Sequence, residues 1–440
     1  MSNIFVVKKK INNFNKKIIE VSGDKSLSIR WVLLASLAKG KSRSFNLLDS
    51  EDVKASINAI KKLGIKVKIK KNFCEINGKG LNGYNYKKGT VINAENSGTL
   101  GRLILGLLIN TNTEIKIIGD RSLSIRDFKR VSDPLKKFGA KFKLTRSKNL
   151  PLKIMGSKNL KPIRYYENKG SAQCKSSVIF AALRTAGTTI IKAKKSRNHT
   201  ELLCKYLKLP ISISERKNYD LIKIKKAKKI KPFNYNIPSD ISSAAFFIVL
   251  TCLTNNSSLT IKNVNINPSR IGIIIILKKM GAKIVFKNKK FYKGELVADI
   301  FVRSTKNLKS INCPVRYNSS SIDEFLLIFL VAAKAKGVSF FRNLGELNQK
   351  ESPRLKWGSK ILNLMGIKND LTSSSIKIFG NPRISIEKKI IIKDYLRDHR
   401  IFMSSVVAAL SFGGEWHIHN KNSINTSFPN FLKILKNLQK

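Results

Sequence analysis

Apolar stretches interrupt this chain at regular intervals, and a polar or charged cluster opens each one. The clusters are Lys25-Ser26-Leu27-Ser28-Ile29-Arg30, Asn96-Ser97-Gly98-Thr99, Ser171-Ala172-Gln173-Cys174-Lys175, Asp240-Ile241-Ser242-Ser243, Asp323-Glu324 and Asp398-His399-Arg400. Ser, Asp and Asn in front of an apolar run of roughly a dozen residues predict a helix start, because their side chains accept from the unpaired N–H groups of a first turn. A run as continuous as Phe325–Ala333 has no polar face and predicts a helix buried all round.

A second pattern alternates with the first. Ala59–Lys66, Pro134–Lys141, Ile276–Lys283 and Leu362–Lys368 each read as the end of an amphipathic helix with lysines in its last turn. Gly64, Gly139, Gly281 and Gly366 follow, where a left-handed residue ends a helix. Short alternating strands come next, such as Val67–Lys70 and Lys141–Leu144. Weaker copies without the glycine lie at Thr200–Leu209 and Ser427–Leu438. A spacing of roughly 70 to 85 residues predicts six repeats of two helices and several strands, hence an α/β (α+β) fold in two lobes of three repeats. Dense lysine from Arg216 to Lys231, then Pro232 and Pro238, marks a boundary near residue 240, and the strand Ile4–Lys8 is assigned to the distal lobe. Six helix N-termini, each with free N–H groups and a positive dipole end, could surround a multiply charged anion.

Composition changes this picture little, and charge more. A chain of 440 residues with 42% hydrophobic and 25% charged residues fits a soluble globular protein of two or three domains. Lys+Arg is 85 against 27 Asp+Glu, a formal net charge of +58. Such charge suits nucleic acid or an anionic membrane. The lysines nevertheless spread over every segment, and aromatics are not interleaved with them, so a biased composition is the favoured reading and a nucleic-acid partner is not expected. Cys74, Cys174, Cys204, Cys252 and Cys313 form no C-x-x-C pair and are odd in number, which fits a reducing compartment. Met1–Lys10 is too weakly apolar for a signal peptide, and no apolar run is long enough to span a bilayer, so a cytoplasmic location and no membrane partner are expected.

Candidate chemistry sits at the helix starts. Lys25 is a point charge and Arg30 a bidentate fork, both suited to phosphate or carboxylate, and Ser26 shares a face with Arg30. Gly98 lets backbone approach a ligand, with Arg102 one turn on; Ser171, Ala172 and Gln173 with Lys175 make a similar cluster. Capping is the favoured reading of Asp323-Glu324, since carboxylates at a helix N-terminus suit its dipole. Lys350-Glu351-Ser352-Pro353-Arg354 joins a carboxylate to two cations, able to hold an anion and move a proton. Asp398-His399-Arg400 follows the same logic, whereas His417 and His419 read as structural.

Taken in order, GDKSLSIR at 23–30, NSGTLGRL at 96–103, SAQCKS at 171–176, SRNHTE at 196–201, SDISSAAFF at 239–247, NPSRIG at 267–272, SIDEF at 321–325, KESPRL at 350–355, RDHR at 397–400 and TSFPNF at 426–431 resemble the enolpyruvyl transferase family. The resemblance spans nearly the whole chain and is nearest the branch whose acceptor is shikimate 3-phosphate; the SAQ, RNHTE and NPSR forms look like the group that includes glyphosate-tolerant members. It implies a two-lobed inside-out α/β barrel of six βαβαββ repeats, with lobes at 21–239 and at 1–20 plus 240–440, closing over the substrates. The implied reaction moves the carboxyvinyl group of phosphoenolpyruvate to the 5-hydroxyl of shikimate 3-phosphate, in a monomer with no metal or organic cofactor.

By the same resemblance, Lys25, Arg126, Arg354 and Arg400 hold phosphoenolpyruvate, with Gly98 against it. Ser26, Arg30, Ser171, Ala172, Gln173, Arg197 and Lys350 line the shikimate 3-phosphate site. Asp323 acts on the 5-hydroxyl proton and Glu351 on the proton at C3; Lys25 completes the catalytic set. Departures exist: Asp127 follows Arg126 where the family usually has Pro, Thr426 stands where part of it has Lys, and Ala172 replaces a Ser. Gly98, which is Ala in some tolerant members, implies glyphosate binding. The alternatives are a sister transferase acting on a UDP-sugar, which carries a mobile-loop cysteine absent from 110–128 here, and an RNA-binding protein on a related repeat fold.

Overall fold

A computed structural model of the chain describes residues 3–70, 73–111 and 113–439. It divides into two compact units. The first comprises Gly23–Ile237 with Tyr292–Glu295, and the second Met1–Ser22, Pro238–Phe291 and Leu296–Lys440. One repeat makes the design plain. Val91–Asn93 leads through the helix Gly98–Leu107 to Ile115–Ile118, then through Lys129–Lys137 to the hairpin Lys141–Thr145 and Asn149–Met155. In the sheet the strands run first, second, fourth, third; the first pair is parallel and the others antiparallel. A parallel pair needs a crossover, and the buried helix supplies it.

Among the described residues three sheets occur in each unit, four-stranded except for two three-stranded ones in the second unit. The expected α/β fold of six repeats is therefore present. Two repeats borrow their first strand from far along the chain: Asn234–Asn236 pairs with Lys39–Phe45, and Lys17–Ile19 with Ser258–Asn265. Ile4–Val7 lies antiparallel to Gly413–His419, completing the last sheet of the second unit.

Each unit buries the apolar first helices of its repeats, leaves second helices such as Lys129–Lys137 half-exposed, and turns one sheet face outward. Ile241–Leu253 is buried at every position, and Phe325–Lys334 from Phe325 to Ala333, as expected of helices without a polar side. Strands alternate instead; Thr188–Lys194 keeps Thr189, Ile191 and Ala193 inside and points Lys192 and Lys194 out. Each unit has its own apolar cluster, so neither core depends on residues of the other's cluster. Gly64, Gly139, Gly281 and Gly366 all have positive φ, which explains glycine after the second helix. One detail differs from expectation: Arg354–Leu364, the second helix of the fifth repeat, has no basic residue in its last turn.

Candidate active site

In the first unit the N-termini of three buried helices carry the expected residues. Asp24, Ser97 and Ser171 cap Lys25–Leu37, Gly98–Leu107 and Ala172–Ala182 through side-chain oxygens. Side chains then tie these helices together. Arg30, almost wholly enclosed, donates from Nε to Thr200 Oγ1 (2.8 Å), from Nη2 to Ser176 Oγ (3.2 Å) and from Nη1 to the Ser26 carbonyl (3.0 Å). Arg102 donates to Gln173 Oε1 at 2.6 Å, while Gln173 Nε2 donates to Thr99 Oγ1 at 3.0 Å. Arg102 also stacks over Phe128, 5.2 Å from the ring centre. Lys25 pairs with Asp52 at 3.0 Å.

Gly98 faces two guanidinium groups. A Cβ added there would lie 2.9 Å from Arg102 Nη1 and 3.0 Å from Arg126 Nη1. Arg126 also donates weakly to Ser122 Oγ (3.4 Å) and Asn96 Oδ1 (3.5 Å), and Asp127 accepts from the Lys129 N–H in the turn that follows. Arg197 lies in the loop before His199–Tyr206, whose Thr200 meets Arg30. Lys175 departs from the sequence reading: it is enclosed and pairs with Glu201 at 2.6 Å, inside the unit rather than at its surface.

The second unit gathers the remaining residues around one arginine. Arg354 is 2% exposed and donates from Nε and Nη2 to Asp398 at 2.8 and 3.1 Å, and from Nη1 to Asp323 Oδ1 at 3.2 Å. Its Nη2 also donates to Glu351. Lys350 Nζ lies 3.3 Å from the same Asp323 oxygen. Burial pulls the Arg354 guanidinium down from its usual range, but Asp398, Glu351 and Asp323 outweigh that and push it above. Burial would likewise raise Asp398; the Arg354 guanidinium beside it outweighs that and holds its carboxyl below the usual carboxylate range. Arg400 donates from Nη1 to the Asp323 carbonyl at 2.7 Å.

Asp323-Glu324 does not cap its helix: Glu324 occupies the cap position without a side-chain bond to the first turn, and the Asp323 carboxylate is turned to Lys350 and Arg354. Thr426 touches His399 Nδ1 at 3.2 Å. Sequence reasoning missed the partner residues Asp52, Thr200, Ser352 and Glu324, and it gave Asp398 no role of its own. Asp398 and Glu324 carried a signal, each standing in a charged cluster at a helix start, and Ser352 and Thr200 lay within the quoted motifs without being singled out. Arg354 thus has three carboxylates, those of Asp323, Glu351 and Asp398, within hydrogen-bond reach of its guanidinium.

The comparisons agree on one family. The family profile for EPSP synthase (3-phosphoshikimate 1-carboxyvinyltransferase) matches residues 8–435. A 3-phosphoshikimate 1-carboxyvinyltransferase of Ruthia magnifica subsp. Calyptogena magnifica is 38% identical over 431 residues, 98% of this chain and 96% of that protein. One from Petrotoga mobilis is 36% identical over 430 residues, 97% of this chain and 98% of its own. Among solved structures, EPSP synthase from Acinetobacter baumannii superposes with a TM-score of 0.85 at 32% identity, covering 98% of both chains. An enolpyruvyl transferase from Streptomyces tendae, 14% identical, shares the fold with a TM-score of 0.76 over 100% of this chain and 98% of its own. With the profile spanning nearly the full length and relatives this similar, the chain belongs to the EPSP synthase (3-phosphoshikimate 1-carboxyvinyltransferase) family.

Proposed function

We propose that this protein transfers the carboxyvinyl group of phosphoenolpyruvate to the 5-hydroxyl of shikimate 3-phosphate and releases phosphate. The observation that carries the reading is Arg354, with Asp323 and Glu351 both on its guanidinium and Arg400 held at the Asp323 carbonyl. That is a cation pair for a doubly anionic substrate, beside two carboxylates for two proton movements. Ser26, Arg30, Ser171, Ala172, Gln173, Arg197 and Lys350 are assigned to shikimate 3-phosphate. Lys25, Arg126, Arg354 and Arg400 are assigned to phosphoenolpyruvate, with Gly98 beside it. Asp323 takes the 5-hydroxyl proton as that oxygen attacks C2, while Glu351 delivers a proton to C3. Glu351 then removes a C3 proton as the C2–O bond to phosphate breaks. Charge neutralisation and positioning supply most of the rate.

We also read the two units as the working lobes, and the protein as a cytoplasmic monomer. Among the described residues no helix is long and apolar enough to cross a membrane. The deciding experiment follows phosphate release from phosphoenolpyruvate, with and without shikimate 3-phosphate, in wild type and Asp323→Ala. Release should require shikimate 3-phosphate and fall at least about 100-fold in the variant. Wild-type release that ignores shikimate 3-phosphate, or a folded variant at full rate, would sink the reading.

A further inference from the structure

Glu324 stands next to a residue of the proposed machinery and has no part in it so far. Its side chain is 0% exposed. Oε1 accepts from Ser242 Oγ at 2.5 Å and lies 3.5 Å from Arg400 Nη1. Ser242 Oγ in turn accepts from Arg270 Nη2 at 2.8 Å, and the same nitrogen reaches Asp240 Oδ1, the cap of Ile241–Leu253, at 3.2 Å. Oε2 is buried and has no hydrogen-bond partner among the described residues. A chain of polar contacts thus runs from a buried arginine through Ser242 and Glu324 to Arg400, linking the N-termini of three buried helices.

From this geometry we infer that Glu324 is a positioning residue that fixes Arg400 for phosphoenolpyruvate; the inference rests on the function proposed above. A buried carboxylate is costly unless a cation faces it. Arg400, 11% exposed at its side chain, is that cation at one end, and Arg270 acts through Ser242 at the other. Nη1 of Arg400 is spent on Glu324 and the Asp323 carbonyl, whereas Nε and Nη2 make no hydrogen bond to any described residue. Anchoring one nitrogen leaves a planar fork of donors, the form that binds a carboxylate or phosphate in two places. The two adjacent carboxylates also divide the cations: Asp323 takes Lys350 and Arg354, and Glu324 takes Arg400. Without Glu324 the Arg400 guanidinium is free to turn to neighbouring Asp323 and so lose its readiness for an incoming anion.

The test compares Glu324→Gln, Ser242→Ala, Arg400→Lys and Glu324→Gln/Arg400→Lys by steady-state kinetics with both substrates varied, alongside melting curves. Glu324→Gln should raise the KM for phosphoenolpyruvate about tenfold, the scale of one charged hydrogen bond, while kcat stays within about threefold and the KM for shikimate 3-phosphate is unchanged. Ser242→Ala should move the same constant in the same direction, by about threefold. In the Arg400→Lys background the Glu324 change should add less than about twofold. A phosphoenolpyruvate KM within twofold of wild type, an equal rise for both substrates, or an undiminished effect without Arg400 would each overturn the inference. If Glu324→Gln does not fold, an unmoved phosphoenolpyruvate KM in Ser242→Ala overturns it equally. A wild type that makes no phosphate with both substrates present contradicts the proposed reaction instead, a distinguishable result.

Discussion

Single side chains decide what this site admits. Gly98 has no room for a methyl group unless Arg102 and Arg126 withdraw, because both guanidinium ends come within about 3 Å of where a Cβ would stand. These are far ends of flexible chains, so they yield rather than clash. Gly98→Ala should therefore fold normally, raise the KM for phosphoenolpyruvate and weaken glyphosate inhibition by at least about tenfold, a cost of about 1.4 kcal/mol. Competition kinetics against phosphoenolpyruvate measure both; an unchanged inhibition constant would refute the crowding argument. Lys and Arg at helix starts were legible in sequence as candidates for binding an anion, because a cation there opposes the positive end of the helix dipole, whereas serines such as Ser97 and Ser171 also cap their helices. The partners of these cations were not. Arg102 meets Gln173 and Arg30 meets Thr200 across 71 and 170 residues, and no local pattern encodes such separations.

Elements carry the next layer. The buried helices could be read directly, since a polar cap followed by an unbroken apolar run has one structural outcome, and the glycines ending the second helices were as clear. Three-residue strands such as Lys17–Ile19 and Asn234–Asn236 were illegible, being too short for alternation and paired with distant segments. Asp398 shows how an element end does two tasks. It caps His399–Phe412 and also accepts from Arg354 and Ser352, fixing the 350–354 loop to that helix. Asp398→Asn removes the charge while keeping the shape and leaves Arg354 poorly compensated, so a loss of about 3 kcal/mol is expected at neutral pH. The sign with pH follows from the depressed carboxyl of the folded protein. Its contribution is complete above the unfolded value of about 4 and is lost as pH falls through the lower folded one. Urea midpoints of wild type and variant should therefore differ most near neutrality and converge in acid; a gap that widens on acidification would refute the pairing.

At the scale of the molecule, charge and connectivity matter most. With 85 basic against 27 acidic residues, most cations have no carboxylate to face, and exposed pairs such as Lys54–Asp49 contribute little. Self-repulsion should dominate, so the melting midpoint should rise between about 0.02 M and 0.3 M NaCl as screening shortens the Debye length. A falling midpoint would mean that attractive pairs outweigh repulsion. Connectivity has a consequence for synthesis. Ile4–Val7 emerges from the ribosome roughly 400 residues before its partner strand, and at typical elongation rates that interval is on the order of 20–80 s. Lys17–Ile19 waits for Ser258–Asn265, and even the buried His199 waits for Glu295, which it meets at 2.6 Å. Through all that time the nascent chain displays unpaired strand edges, a standing invitation to neighbouring polysomal chains. A strand translated roughly 400 residues ahead of its partner is among the last to be satisfied, and holding it apart is a natural task for chaperones.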